Sequence, residues 1–325
     1  MVEFGYKLMS EEHGPRDLVR NARAAEDAGF DFVAISDHFH PWLYSHEHSP
    51  FAWSVLGAVA MSTDRIGIST GVTCPYLRYH PAIVAQAAAT VAVMSGGRFT
   101  LQVGAGEQLN EHVVGRGWPP VSVRHEMFAE ALDIMRLLWR GGMRSYRGRH
   151  LVLEDARVYD LPDEPPPLPV AISGRSSARL AVDKGDGIVA TEPRPELVEM
   201  YREMGGTGPC YAEVPLSWAA DEKTAVDTAW DRFRFGAPGW KVMAELPNPV
   251  NFEAATSMVR REDIAEMIAC GPDVERHVEQ VRTFLDAGFD RLVLIGVGDD
   301  QDGFLRFWGD ELQPRVRELG GDAGP

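Results

Sequence analysis

Apolar residues fall into two alternating patterns along this chain. Short runs that are almost wholly apolar follow longer stretches in which apolar residues recur three or four positions apart. The joint between them is written twice in nearly the same words, as "AAEDAGFDFVAIS" (24–36) and "TFLDAGFDRLVLIG" (283–296), with a third variant, "AVDKGDGIVAT", at 181–191. In each, a glycine ends an amphipathic helix, and the run that follows is too uniformly apolar for a strand with one wet face. The runs "FGYKLM", "FVAISDHF", "IGISTGVT", "FTLQVGAG", "LPVAISG", "GIVAT", "CYAEVPLSW" and "RLVLIGV" supply eight candidate strands. Helical spacing marks "PRDLVRNARAAEDAG", "RHEMFAEALDIMRLLW" and "DVERHVEQVRTFLDAG". Helix, turn and buried strand in alternation predict a parallel sheet, and eight strands are what a closed (β/α)8 TIM barrel needs. No linker divides the chain, so 1–325 reads as one barrel domain. Two segments interrupt the pattern: "SYRGRHLVLEDARVYDLPDEPPPLP" reads as a hairpin-like excursion, and "FGAPGWKVMAELPNPVNFEAATSMV" as an insertion after the seventh strand that shapes a pocket at the barrel mouth.

Composition narrows the partners. The 325 residues are 45% hydrophobic and carry a formal net charge of -16, the wrong sign for gripping nucleic acid or an anionic membrane through the overall field. The first residues lack the regions of a signal peptide, and "PAIVAQAAATVAVM" is too short to span a bilayer, so the expectation is a soluble, cytoplasmic protein. Cys74, Cys210 and Cys270 are odd in number and far apart, which predicts reduced, buried thiols rather than a disulfide framework.

A barrel of this kind carries its chemistry at the C-terminal ends of its strands. There the second strand ends in Ser36, Asp37, His38 and His40, the fourth in Glu107 and Asn110, and the fifth in "SGRSS". His-x-His at a strand end, with His46 and His48 nearby, raises the possibility of a zinc hydrolase. The later strands end "AISG", "IVAT" and "LIGVG" without further ligands, so no metal is expected. "GAGEQL" lacks the third glycine of a dinucleotide fingerprint. What remains is proton chemistry beside a planar cofactor, with His38 and Glu107 as proton-transfer groups and Trp42 as an aromatic wall; a hydrogen-bonded structural role is the alternative for each group taken singly.

The stretches "GYK", "SDHFHPW", "RYHPAIVAQAAAT", "GAGEQLNE" and "DGIVAT" together resemble the luciferase-like barrels that use the deazaflavin coenzyme F420, most of all the subgroup containing the F420-dependent glucose-6-phosphate dehydrogenases. The resemblance implies catalytic roles for His38, Glu107, Trp42 and Glu11: His38 as base or acid on the substrate, Glu107 exchanging a proton with the cofactor ring from the opposite side, and Glu11 as the acid at the end of the first strand. It implies cofactor contacts at Asp37, Cys74, Gly106, Glu107 and Asn110. It places a non-proline cis peptide at Gly71 and Val72, and contacts to the phosphate-bearing tail at Ser173 and Gly174. Arg175 is read as a further phosphate contact, against the alternative of a solvated loop charge.

The resemblance breaks at the phosphate clasp of the sugar-phosphate enzymes, which is a threonine, two lysines and an arginine. Thr191 fits the threonine and Arg194 stands for the first lysine, but Ala254 falls at the second lysine and Glu266 or Met267 at the arginine. A phosphate dianion would be poorly held there, so the substrate pocket is expected to take something other than glucose 6-phosphate. The expectation is an F420-dependent oxidoreductase acting on a small organic or peptidyl substrate. The alternatives are a reductase of dehydroamino acids in modified peptides, for which the acidic surface suits a basic peptide, a sugar-phosphate or secondary alcohol dehydrogenase, and a flavin mononucleotide monooxygenase. A non-catalytic binding barrel is disfavoured by the intact His38, Glu107 and Trp42. A homodimer is expected, with "AWSVLGAVAMS" as a candidate interface helix.

Overall fold

A computed structural model describes residues 2–321. Eight parallel strands form the barrel: β1 (Glu3–Leu8), β2 (Phe32–Ile35), β3 (Gly67–Thr70), β4 (Phe99–Thr100), β5 (Pro169–Ala171), β6 (Gly187–Ala190), β7 (Cys210–Ser217) and β8 (Arg291–Gly296). Their order in the sheet is β4-β3-β2-β1-β8-β7-β6-β5. The ring closes just past the short β4, where Val103 bridges Val170 and backbone bonds run from Leu101 N to Pro167 O at 2.9 Å and from Val103 N to Pro169 O at 3.0 Å. The TIM barrel expected from the alternating pattern is thus present; beyond the short β4 the chain stays bonded in the ring through Val103, which bridges Thr73 and Val170, before the glycines of "GAGE".

The alternation of side chains along each strand sorts the barrel into an outer core and an interior. Phe4 and Tyr6 of β1 point outward, where Phe4 packs on Trp308 with ring centroids 5.5 Å apart and Tyr6 on Phe30 at the same separation. Gly5 and Lys7 therefore point inward. A Cβ on Gly5 would lie 2.4 Å from the Phe32 ring, so the missing side chain of one strand makes room for the large one of the next. Phe32, Ala34 and Val293 with Tyr211 fill the lower interior, and above them the interior becomes charged.

Both interruptions are where the pattern predicts them. The excursion is an antiparallel hairpin of Arg144–Arg147 and Val152–Ala156, pinned to the helix Val121–Trp139 by Glu130, whose carboxylate accepts the backbone N–H of Arg149, His150 and Leu151. The insertion after β7 is a set of short helices, including Trp240–Met243, Pro249–Ala255 and Arg261–Met267, draped over the mouth. Cys74, Cys210 and Cys270 are free and buried. No helix of the described residues is long and apolar enough to cross a membrane.

At the opposite end of the barrel one cation joins several elements. Arg98 donates to the carbonyls of Ser95, Ile66, Ala60 and Thr63 at 2.6–3.1 Å and to Thr63 Oγ1 at 3.1 Å. Replacing Arg98 by Met keeps the stem and leaves these carbonyls without a donor; the expected loss is about 2 kcal/mol in urea unfolding, with the mouth unaffected.

Candidate active site

The strand ends bring His38, Glu11 and Glu107 together. His38 Nδ1 lies 3.0 Å from Glu11 Oε1, and its Nε2 lies 3.7 Å from Glu107 Oε2. The shorter contact is off the hydrogen-bonding direction, leaving both atoms without an aligned partner, so it is an ion pair rather than a well-formed hydrogen bond. The resemblance sets Glu107 across a bound ring from His38; here the carboxylate instead faces the imidazole directly. His38 is 9% exposed and Glu11 1%. Burial works against the imidazolium, but Glu11 and Glu107 outweigh it and raise His38 above its ordinary value. Burial likewise opposes ionisation of Glu11, yet the His38 charge and Lys7 bring it down to about 2. Glu107 goes the other way: burial raises it to about 7, with His38 opposing and Glu11 and Glu213 reinforcing. Two carboxylates on one imidazole therefore differ in role, one a fixed anion and the other a group that holds a proton near neutral pH.

Trp42 packs edge-on against His38 with centroids 4.6 Å apart, while Phe235 of the insertion stacks on it at 4.9 Å and 3°. Phe252 meets it edge-on at 5.1 Å. With Leu43, Leu109 and Met243 these rings form a separate buried apolar cluster. Asn110 ties two loops together: its Oδ1 accepts from Phe39 N at 2.8 Å and His40 N at 3.2 Å, and its Nδ2 donates to Glu107 Oε2 at 3.3 Å. Asp37 is buried, its carboxylate accepting from Thr73 Oγ1 at 2.8 Å, Arg78 Nη2 at 2.8 Å and Tyr79 OH at 2.9 Å. Glu111 accepts from Arg78 N at 2.9 Å, and burial raises its carboxyl to about 7 against the pull of Arg78.

The remaining positions lie around this centre. The Gly71–Val72 peptide bond is cis. Gly106 has a φ of +82°, and a Cβ there would lie 2.7 Å from Cys74 Sγ, so glycine is required on both counts. The backbone N–H groups of Ser173 and Gly174 both donate to Ser177 Oγ, at 3.0 and 3.3 Å, at the start of the helix Arg175–Lys184; open space surrounds Gly174, and Arg175 is exposed. Thr191 and Ala254 are exposed. Arg194 is paired with Glu196 at 2.9 Å and Glu192 at 3.7 Å.

The histidines outside this centre are separated from it. His40 turns toward His112, and His46 Nε2 meets the carbonyl of Arg232 at 2.6 Å. Among the described residues no group of three or more His, Cys, Asp or Glu is placed to hold a metal ion. Not singled out by the sequence were Thr73, Arg78 and Tyr79, which fix Asp37, Glu111, which holds the backbone of Arg78, and the buried pair Lys7 and Glu213. The signal for the last two was present: each is a charged residue at an inward position of an otherwise apolar strand.

A sequence model of luciferase-like monooxygenases matches residues 2–291. The chain belongs to that family. Within it, the chain is 37% identical to an F420-dependent glucose-6-phosphate dehydrogenase of Segniliparus rotundus, over 98% of this chain and 99% of that protein. It is 35% identical to one of Microbacterium testaceum, over 98% of both. An F420-dependent secondary alcohol dehydrogenase, solved in complex with an F420-acetone adduct, superimposes with a TM-score of 0.90 at 31% identity, over 97% of this chain and 99% of that one. The F420-dependent tetrahydromethanopterin reductase of Methanopyrus kandleri shares the fold, with a TM-score of 0.78 at 22% identity over 97% and 99% of the two chains.

The raised value of Glu107 has a sign that stability measurements read. A carboxyl at about 7 in the folded protein against an ordinary 4.5 binds its proton more tightly when folded. Its contribution is therefore full below about 4.5 and is lost as pH rises through about 7. Glu107→Gln removes this loss, so the variant is expected to gain on the natural protein between pH 5 and pH 8, by roughly 2–3 kcal/mol, in paired thermal melts; a constant difference would refute it.

Proposed function

We propose that this chain is an F420-dependent oxidoreductase that moves a hydride between F420 and a small uncharged alcohol–carbonyl pair, and that glucose 6-phosphate is not its substrate. The observation that carries the reading is His38 clamped between Glu11 and Glu107 at the mouth of a barrel that is similar, over nearly its whole length, to F420-dependent dehydrogenases. The residues fit such a cofactor. Gly106 lets the loop after β4 pack closely onto Cys74, and the helix Arg175–Lys184 begins beside open space at Gly174, where the N–H groups of Ser173 and Gly174, held by Ser177 Oγ, would turn to an anionic tail. When bound, F420 supplies hydride transfer with little one-electron or oxygen chemistry.

The protein's share is binding, orientation and proton movement. In oxidation, neutral His38 takes the hydroxyl proton through Nε2, and Glu11 stabilises the imidazolium from the Nδ1 side. In reduction the same proton returns to the carbonyl oxygen. Glu107 holds a second proton close by. Trp42, backed by Phe235, gives a rigid wall, and Asn110 keeps the His38 loop in register with Glu107. Asp37 serves by anchoring that loop through Thr73, Arg78 and Tyr79.

The substrate pocket supports an uncharged ligand. The cations around the mouth already have partners: Lys7 has Glu213, Arg78 has Asp37, Arg194 has two glutamates, and Arg234 has Glu253 at 2.6 Å. With Ala254 at the second lysine position, Thr191 and Arg194 alone make a weak clasp for a phosphate dianion. A second copy of the chain is the proposed partner. Phe51 precedes the helix Ala52–Ser62, Met61 lies in its last turn, and Ile83 stands on the neighbouring helix, all more than half exposed.

The test is a titration with F420 and, separately, with FMN, followed by substrate screening. Tight F420 binding and weak FMN binding are expected, with turnover of short secondary alcohols and none of glucose 6-phosphate. His38→Ala is expected to cut turnover about 100-fold or more with F420 affinity retained. Preference for FMN, or turnover of glucose 6-phosphate, sinks the reading.

A further inference from the structure

Lys7 is a lysine inside a barrel, 4% exposed. Its ammonium forms an ion pair with Glu213, reaching from β1 to β7, and donates to the carbonyl oxygen of Gly71 at 2.6 Å. The three groups are packed as a unit, because a Cβ on Gly71 would lie 3.1 Å from Lys7 Nζ and 3.5 Å from Glu213 Oε1. A buried pair of this kind is weak evidence for stability, since apolar residues of the same volume serve a core as well or better. Its place suggests a different use. It lies on the inward faces of β1 and β7, with Lys7 level with Ala34 of β2, and the chain reaches Glu11 and His38 four residues beyond Lys7 and Ala34 respectively.

The two ends of the pair act on different groups. Beyond burial and the neighbours His38 and Glu11, Glu107 feels Glu213 more strongly than Lys7. Glu11 and His38 both feel the ammonium of Lys7. The charge count makes the same point. With Lys7 and His38 positive and Glu11 and Glu213 negative, the site is neutral when Glu107 carries a proton. When His38 is neutral the same set carries one negative charge, which an incoming proton on His38 cancels.

We propose that Lys7 and Glu213 are positioning residues of the proton-transfer site: an oriented, buried ion pair that holds the Gly71 carbonyl one layer beneath Glu11 and His38, its carboxylate and its ammonium acting on different members of the site. The proposal rests on reading His38 and Glu107 as the proton-transfer pair. The ion pair acts in opposite senses on the two groups that share one contact, the carboxylate on Glu107 and the ammonium on His38.

The experiment is a pH titration by NMR of the folded protein without cofactor, following the Glu107 carboxyl carbon and the His38 ring nitrogens, each assigned by its own glutamine variant. In Glu213→Gln the Glu107 midpoint is expected to fall by about half a unit or more, because a nearby negative charge is gone. In the double variant Lys7→Met, Glu213→Gln no buried charge is left alone; there the Glu107 midpoint is expected to fall and the His38 midpoint to rise. Midpoints that coincide with those of the natural protein, or a rise for Glu107, would overturn the proposal. A double variant that does not fold overturns it as well, since the pair would then be a folding element. The titrations do not depend on which cofactor binds, so moved midpoints in a protein that ignores F420 would sink the F420 reading and leave this one standing.

Discussion

The mouth of this barrel is governed by the cost of removing charge from water. Five ionisable groups, Lys7, Glu11, His38, Glu107 and Glu213, converge where solvent scarcely reaches, and an isolated charge there would be heavily penalised. Each is therefore placed by the others. Glu11 stays ionised because His38 and Lys7 are near, and Glu107 is left holding a proton first because burial penalises its anion and then because Glu11 and Glu213 already supply negative charge. Reactivity and architecture come from one constraint: the groups that need partners are the groups whose protons are free to move.

Around this centre the loops are held by hydrogen bonds that look like chemistry but act as framework. Asp37 spends its carboxylate on Thr73, Arg78 and Tyr79, drawing the loop after β2 onto the loop after β3. Asn110 does the same between the loops after β2 and β4. The barrel fixes where the strands end, and these bonds fix where the reacting side chains point.

The insertion after β7 gives the site its apolar side. Phe235 and Phe252 reach back to sandwich Trp42, and the backbone of Gln108 donates to Ala244 at 3.0 Å, fastening the insertion to the loop that carries Glu107. One long connection thus touches the aromatic wall, the acidic loop and the region where sugar-phosphate enzymes of the family are expected to bind phosphate.

The barrel was legible in the chain because its evidence is local: a glycine ends each helix, a β-branched run follows, and the step repeats. His38, Glu107, Trp42 and Glu11 were legible because they stand at strand ends in stretches that resemble a known family. Partnerships were not legible. Nothing in "FGYKL" says that its lysine meets a glutamate more than two hundred residues later, and nothing in "RYH" says that the arginine closes on Asp37. Nor did the sequence reveal that Phe235 would back Trp42, since the two are far apart in the chain and only the insertion's fold stacks them. The sequence by itself determined which residues arrive at the mouth, through period and turn. The tertiary structure decided how their charges divide, because a proton's preference depends on burial and on neighbours that only the closed barrel brings within a few ångströms.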